Sequence, residues 1–417
     1  MTNEINEGER LLAPRDVRAN VRHLILHTLL RNMTIGSLTI ITPGGEMIRH
    51  RGAQPGPGAE IHVRHWRAIR RLILEGNTGF GAAYLEGDWT TPNLAALIEL
   101  AARNDSGLQN AMSGFFPVRV FNRLRHALRA NTRRGSRRNI MDHYDLGNEF
   151  FGLWLDEDMN YSSALFHEPN LTLESAQEAK QNFILDQLAL SGGERVLEIG
   201  CGWGSLAQKL IERGCEVTGL TLSPAQRDYT MARLSRGGLA DRADIRLQDY
   251  RDVTGTFDRV VSIEMLEAVG KRFWPAYFDV VRARLDGQGL AAIQVITIED
   301  ARFSSYESAS DFIQHYIFPG GMLPSPGLLR KHIADGGLDL VAIRAFGESY
   351  AATLAEWARR FQKNWPTIET LGFDHRFRKL WEYYLGYCEG GFRSGATDVG
   401  LYVLSRSVAA PAKSRLL

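Results

Sequence analysis

A chain of 417 residues exceeds one ordinary hydrophobic core, so at least two domains are expected. With 44% hydrophobic and 23% charged residues, its composition is that of a globular protein and excludes a disordered or fibrous one. The formal net charge of +1 provides no global field toward nucleic acid or membrane, so any such attraction has to be local.

Residues 1 to about 12 are polar and read as frayed. Asp16 to Leu30 follows a helical pattern, and Ser37 to Ile41 reads as a strand closed by the turn Pro43-Gly44-Gly45. Gln54-Pro55-Gly56-Pro57-Gly58 reads as a loop and His65 to Glu75 as a helix. A glycine-spaced run from Thr78 to Trp89 precedes a helix from Asn93 to about Arg103. This is a small α+β unit without a catalytic constellation. The first thirty residues mix Glu, Arg and Asn among apolar positions, which predicts no signal peptide. No apolar stretch approaches the ~20 residues that span a bilayer. Cys201, Cys215 and Cys388 are scattered, which argues against a disulfide framework or a metal site and fits a reducing, cytoplasmic compartment.

Residues 106–141 contain no Asp or Glu, yet carry Arg119, Arg123, Arg125, Arg129, Arg133, Arg134, Arg137 and Arg138, interleaved with apolar residues such as Phe115, Phe121 and Leu124. The run reads either as a solvated linker helix or as a basic amphipathic segment that rests on anionic headgroups. No nucleic-acid motif accompanies it, so nucleic acid is not expected as a partner.

Beyond about residue 190, strand-like runs (Arg195–Ile199, Glu216–Leu220, Asp258–Ile263, Leu290–Ile298) alternate with helical segments, the pattern of a parallel α/β sheet. The first run continues as Glu198-Ile199-Gly200-Cys201-Gly202-Trp203-Gly204-Ser205. Glycines at alternate positions between a strand and a helix let the backbone approach a ligand closely. The spacing is E-x-G-x-G-x-G, not the G-x-G-x-x-G of dinucleotide sites, and it resembles the first motif of class I methyltransferases, which bind S-adenosylmethionine. At the second strand end, where an acid commonly holds ribose hydroxyls, the chain has Thr221, Leu222 and Ser223, with Gln226 following. The third strand leads to Asp249, Tyr250 and Arg251, with Asp249 placed to accept from the adenine amino group and Tyr250 to stack on the ring. The fourth ends at Glu264-Met265-Leu266-Glu267.

From about residue 60 to 405 the chain resembles the cyclopropane-fatty-acyl-phospholipid synthase family, which includes mycolic acid methyltransferases. The resemblance rests on Gly81 to Trp89, His143-Tyr144-Asp145-Leu146-Gly147-Asn148, Tyr161-Ser162 and Leu220-Thr221-Leu222-Ser223. It continues in Tyr316-Ile317-Phe318-Pro319-Gly320-Gly321, Leu323-Pro324-Ser325, Tyr383-Tyr384-Leu385 and Gly391-Phe392-Arg393. It implies an α/β fold: a Rossmann-like seven-stranded class I sheet with a helical cover over an acyl tunnel, preceded by a small α+β domain. The expected division is residues 1–115 for a lipid-associated N-terminal domain, 116–140 for the basic linker and 141–417 for the catalytic domain. By the same resemblance Tyr161, Ser162, Gly200, Thr221, Gln226 and the Asp249–Arg251 turn line the cofactor pocket, together with the glycine loop. The implied activity is methyl transfer to the cis double bond of acyl chains in membrane phospholipid, giving a cyclopropane or a methyl-branched unsaturated fatty acid, by an enzyme peripheral to the inner membrane face. A homodimer would present two basic patches. Another small amphiphile is the alternative substrate.

Attack by an alkene leaves a carbocation, for which Tyr306, Phe312, Tyr316, Phe318, Tyr383 and Tyr384 are candidate aromatic faces. In cyclopropane-forming members a bicarbonate ion takes the proton from a cage of Cys, Glu, His, Tyr and an Ile backbone. Carried over by position, Glu267 and Ile296 remain, whereas Ser163, Gln294 and Ala358 stand at the Cys, His and Tyr positions. Ser163 and Gln294 can still hydrogen-bond an anion, but Ala358 cannot. Bicarbonate is therefore in doubt. Two readings of Glu264 follow: it helps to seat the cofactor, or it shares with Glu267 the role of general base.

Overall fold

The computed structural model describes residues 24–108, 146–308 and 311–407. The arginines of the basic segment and His143 to Asp145 lie outside these residues.

The N-terminal unit is a four-stranded sheet in the order β2-β1-β3-β4, built from β1 (Ile35–Ile41), β2 (Met47–Arg51), β3 (Gln54–Val63) and β4 (Trp89–Thr90). The Pro-Gly run expected to be a loop is the first half of β3. It pairs parallel to β1, Gln54 opposite Ile35 and Gly58 opposite Ser37. Pro55 and Pro57 are tolerated because β4 pairs with β3 only at His62 and Val63, so the edge without proline N–H groups is open. Helix α1 (Arg67–Leu85) runs through the glycine-spaced segment, broken once at Gly76 (φ 62°, ψ −146°), a conformation open essentially to glycine alone. Helix α2 (Leu94–Arg103) begins at Asn93, whose side chain accepts from the Ala96 N–H as an N-cap.

The second sheet has seven strands in the order β10-β11-β9-β8-β5-β6-β7. These are β5 (Arg195–Ile199), β6 (Glu216–Thr221), β7 (Ala243–Leu247), β8 (Phe257–Ile263), β9 (Leu285–Ile298), β10 (Leu338–Ala345) and β11 (Thr397–Arg406). Strands β5 to β9 pair in parallel, and β11 inserts antiparallel between β9 and β10. Helices α3 (Leu173–Gln187), α4 (Ser205–Glu212), α5 (Pro224–Arg236), α6 (Trp274–Arg284), α7 (Pro326–Asp335), α8 (Gly347–Thr370) and α9 (His375–Ser394) complete the layers. The strand interiors of β5 and β9 are buried on both faces, as a helix-covered parallel core requires.

The two units meet through α1, α2 and α9. A Cβ at Gly81 would lie 2.4 Å from Phe312 and 3.1 Å from Tyr383, so this glycine is what allows α1 to sit against the catalytic unit. Trp89 stacks on Phe80 at 4.2 Å and meets Tyr383 edge-on at 6.3 Å. The Gly81–Trp89 signature is thus a packing device between the two sheets. Among the described residues no helix is long and apolar enough to cross a membrane.

Candidate active site

The carboxyl ends of β5, β6 and β8 open on one edge of the sheet, where chain order reverses between β5 and β8, the position at which parallel α/β sheets bind ligands. Gly200, Gly202 and Gly204 all have positive φ (85°, 53° and 82°). The Gly200 and Cys201 N–H groups donate to the Leu220 carbonyl, pinning the loop to the end of β6. Gly204 is the left-handed N-cap of α4, and a Cβ there would meet Thr230 at 2.4 Å.

Around this loop the fit to S-adenosylmethionine can be tested residue by residue. Tyr161, Ser162, Glu198, Gly200, Gly202, Thr221, Leu222, Gln226 and Tyr250 all line one cavity. The Thr221 hydroxyl donates to Gln226 Oε1 at 2.9 Å, fixing both at the β6 end. Glu198 is buried with Oε2 lacking a partner among the described residues, and burial pushes its pKa up to about 8. An acceptor left open at the wall, beside a loop only glycines can form, suits a cationic amino-acid ligand. Four expected residues, Gly204, Ser223, Asp249 and Arg251, are not on that cavity wall. Ser223 caps α5 by accepting from the Gln226 N–H, and Gly204 sits behind the cavity wall. Asp249 accepts from Arg251 Nε at 2.8 Å and Nη2 at 2.6 Å, so its carboxylate is already engaged, and Gln248 stands beside Tyr250 on the wall instead.

Glu264 occupies the centre of the altered cage. It follows the last residue of β8 with φ 51°, a conformation strained for any residue other than glycine. Its Oε1 accepts from the Ser163 N–H at 2.9 Å and from Gln294 Nε2 at 2.7 Å, and its Oε2 from the Tyr350 hydroxyl at 2.6 Å. Two of the five positions expected to hold an external anion, Ser163 through its N–H and Gln294 through its side chain, thus hold a side-chain carboxylate, while the Ile296 N–H is taken by Glu267. Tyr350 supplies the phenol missing at Ala358. It stands eight residues earlier on α8, on the same helical face, and was not legible from motif positions. Burial raises the Glu264 pKa, opposed by the three donors and by Lys180.

Glu267 lies one helical turn further on. Its Oε1 accepts from the Ile296 N–H at 2.5 Å, while Oε2 has no hydrogen-bond partner among the described residues. Burial, and next the charge of Glu264, push its pKa up to about 8. The two carboxylates therefore differ in their contacts: Glu264 accepts from three donors, whereas Glu267 keeps one oxygen without a partner among the described residues.

The cavity measures about 1420 Å³, above the roughly 300–1,000 Å³ of ordinary small-ligand clefts. From the glycine loop it passes Tyr306, Tyr316, Phe318, Tyr383 and Tyr384 and continues between the N-terminal sheet and its helices, where Leu30, Ile40, Ile61, Leu97 and Leu100 line it. Phe312 is not on this wall: fully buried, it packs beneath against Tyr383 at 4.4 Å and Tyr316 at 4.7 Å. The Tyr161 and Tyr384 hydroxyls pair at 2.9 Å between cofactor end and aromatic wall. A residue missed by sequence reading is Lys180, buried on α3 and lining the cavity. The buried face of α3 runs Ala176, Gln177, Lys180, Gln181, Ile184, and polar residues on an apolar stripe were its only signal.

Residues 131–401 match the family described as mycolic acid cyclopropane synthetase. The tuberculostearic acid methyltransferase UfaA1 of Mycobacterium tuberculosis is 38% identical over 359 residues, 84% of this chain and 83% of the relative. The cyclopropane-fatty-acyl-phospholipid synthase of Escherichia coli is 34% identical over 353 residues, covering 84% and 88%. The crystal structure of mycolic acid cyclopropane synthase CmaA1 complexed with SAH and CTAB superposes with a TM-score of 0.60 at 29% identity, over 65% of this chain and 98% of that one. With the sheet order, the glycine loop and these matches together, the chain belongs to the cyclopropane and mycolic acid synthase family and is an S-adenosylmethionine-dependent methyltransferase.

Proposed function

We propose that the protein methylates the cis double bond of unsaturated acyl chains in membrane phospholipid and discharges the resulting cation to a protein carboxylate. The product is a methyl-branched unsaturated chain, not a cyclopropane. The observation that carries this reading is Glu264, held by Ser163, Gln294 and Tyr350 where an external bicarbonate would otherwise be caged.

Bound S-adenosylmethionine supplies an electrophilic methyl group and takes back the carbon–sulfur electron pair. The alkene π pair forms the new carbon–carbon bond, leaving positive charge on the adjacent chain carbon. Tyr316, Phe318 and Tyr384 turn aromatic surface to this region, and such faces stabilise a cation. In its ionised form Glu264, held by three donors that oppose the upward pull of burial, is a fixed counter-charge in a buried site, where it acts more strongly than in water. Glu267 accepts the proton at Oε2, and the released C–H pair closes a new double bond in the chain.

The long apolar cavity supports an acyl substrate, as do relatives named for fatty-acyl phospholipid and tuberculostearic acid and a solved neighbour that holds the alkyl surfactant CTAB. In this reading the N-terminal unit takes part of the chain, the basic segment rests on anionic headgroups at the inner membrane face, and a homodimer doubles that contact. Expression in a bacterium deleted for its own cyclopropane synthase tests the proposal. Total fatty acids should gain one carbon with vinylic or allylic methyl signals in proton NMR. Fatty acids without any one-carbon gain would refute lipid methylation, and upfield ring protons would refute the assignment of product.

A further inference from the structure

Helix α6 buries the stripe Trp274, Tyr277, Phe278 and Val281, and Tyr277 sets a phenol there at 0% exposure. That phenol faces Ser262 of β8 and, beyond the strand end, Glu267. Ser262 is itself fully buried, between Ile199 and Ile293 on the neighbouring strands. Yet the Tyr277 hydroxyl, Ser262 Oγ and Glu267 Oε2 all lack a hydrogen bond of good geometry among the described residues. A buried polar atom left without a partner costs stability, and Phe or Ala would fill the first two positions without that cost. Three such atoms facing one another are the polar surroundings in which a buried water is held. Burial raises the Tyr277 pKa, so the phenol keeps its proton and can donate it.

We propose that an ordered water joins these three atoms and that Tyr277 is a positioning residue for the proton transfer, acting through Glu267. The phenol donates to the water, which donates one hydrogen to Glu267 Oε2 and the other to Ser262 Oγ. A carboxylate oxygen accepts more than one hydrogen bond, so Oε2 keeps a lone pair for the substrate proton. The bridge fixes the direction of that lone pair and favours the ionised carboxylate, against burial and the charge of Glu264. Besides Glu264, the titratable groups that face Glu267 are Tyr277 from α6 and Tyr402 from β11, both kept neutral by burial, while β9 offers the Ile296 N–H. The inference rests on the reading of Glu267 as the base.

Two pH titrations test it, one without turnover and one with it. In the complex with S-adenosylhomocysteine, the protonated-carboxyl infrared band that Glu267→Gln removes reports Glu267 directly. Tyr277→Phe deletes only the hydroxyl and should move the midpoint of that band up by about one pH unit, the scale of a hydrogen bond to a charged group. Ser262→Ala removes one support of the water and should move it the same way by less. Under turnover the rising limb of the pH–rate profile should follow. Tyr277→Phe then loses about tenfold in rate at neutral pH and recovers in alkaline buffer, which a loss of packing would not do. An infrared midpoint unchanged in Tyr277→Phe would overturn the proposal. A midpoint that moves while the rate limb stays would support the water bridge and refute Glu267 as the base. Should Tyr277→Phe fail to give a cooperative thermal transition, Ser262→Ala decides by the same band, and an unmoved midpoint there would overturn the assignment.

Discussion

Replacing Glu264 by glutamine removes a charge while keeping nearly the same shape. The Gln amide oxygen can still accept from the Ser163 N–H and Gln294 Nε2, and its NH2 can donate to the Tyr350 oxygen, so all three contacts survive with one reversed. What disappears is the negative charge. A unit charge about 5 Å from a developing cation, at an effective dielectric of about 20, is worth about 3 kcal/mol. That corresponds to a fall in kcat on the order of 100-fold. The folded state should not suffer, because Glu264 is buried with its pKa raised by desolvation, and the amide avoids that cost. The assay is single-turnover methylation of unsaturated phospholipid vesicles, with S-adenosylhomocysteine affinity and thermal stability measured alongside. A kcat within about threefold of wild type would refute the electrostatic role. A loss of cofactor affinity that accounts for the whole effect would instead favour the reading of Glu264 as a cofactor seat.

Three further outcomes are expected. Glu267 has to be ionised to accept a proton and titrates at about 8, so the rate should rise with pH through that value and then level. Because the charge of Glu264 helps to raise that pKa, Glu264→Gln should move this limb to lower pH, as a pH–rate profile of both proteins would show. Gly204→Ala places a Cβ 2.4 Å from Thr230 at a φ of 82° and should weaken S-adenosylhomocysteine binding by about tenfold or more, measured by calorimetry. Gly81→Ala pushes against Phe312 and Tyr383 and should destabilise by about 1–3 kcal/mol, measured by denaturant unfolding.

The cofactor end of the site was legible because its signals are local. A strand, three glycines and a capped helix are contiguous from Arg195 to Glu212, and each glycine meets a backbone need the sequence announces. The base site was only half legible. Ser163, Gln294 and Glu264 could be named, but their convergence depends on strand ends and a distant helix, and Tyr350 was hidden because the reading followed the position of Ala358. Residues 54–58 were misread for a different reason. Proline and glycine usually punctuate loops, and only the incomplete pairing of the β3 edge makes a strand acceptable there. Likewise Gly81 of α1 marks close approach to Phe312 and Tyr383, a tertiary cause that local propensity does not carry.

The central claim is that a protein carboxylate takes the place of bicarbonate and that ring closure does not follow. It is tested most directly by incubating the purified protein with S-adenosylmethionine and unsaturated phospholipid vesicles in buffer stripped of bicarbonate and again after its addition, with products read by proton NMR. The account predicts equal rates in both buffers and methyl-branched alkene without upfield ring protons. A product consisting only of cyclopropane, formed only when bicarbonate is present, would contradict it.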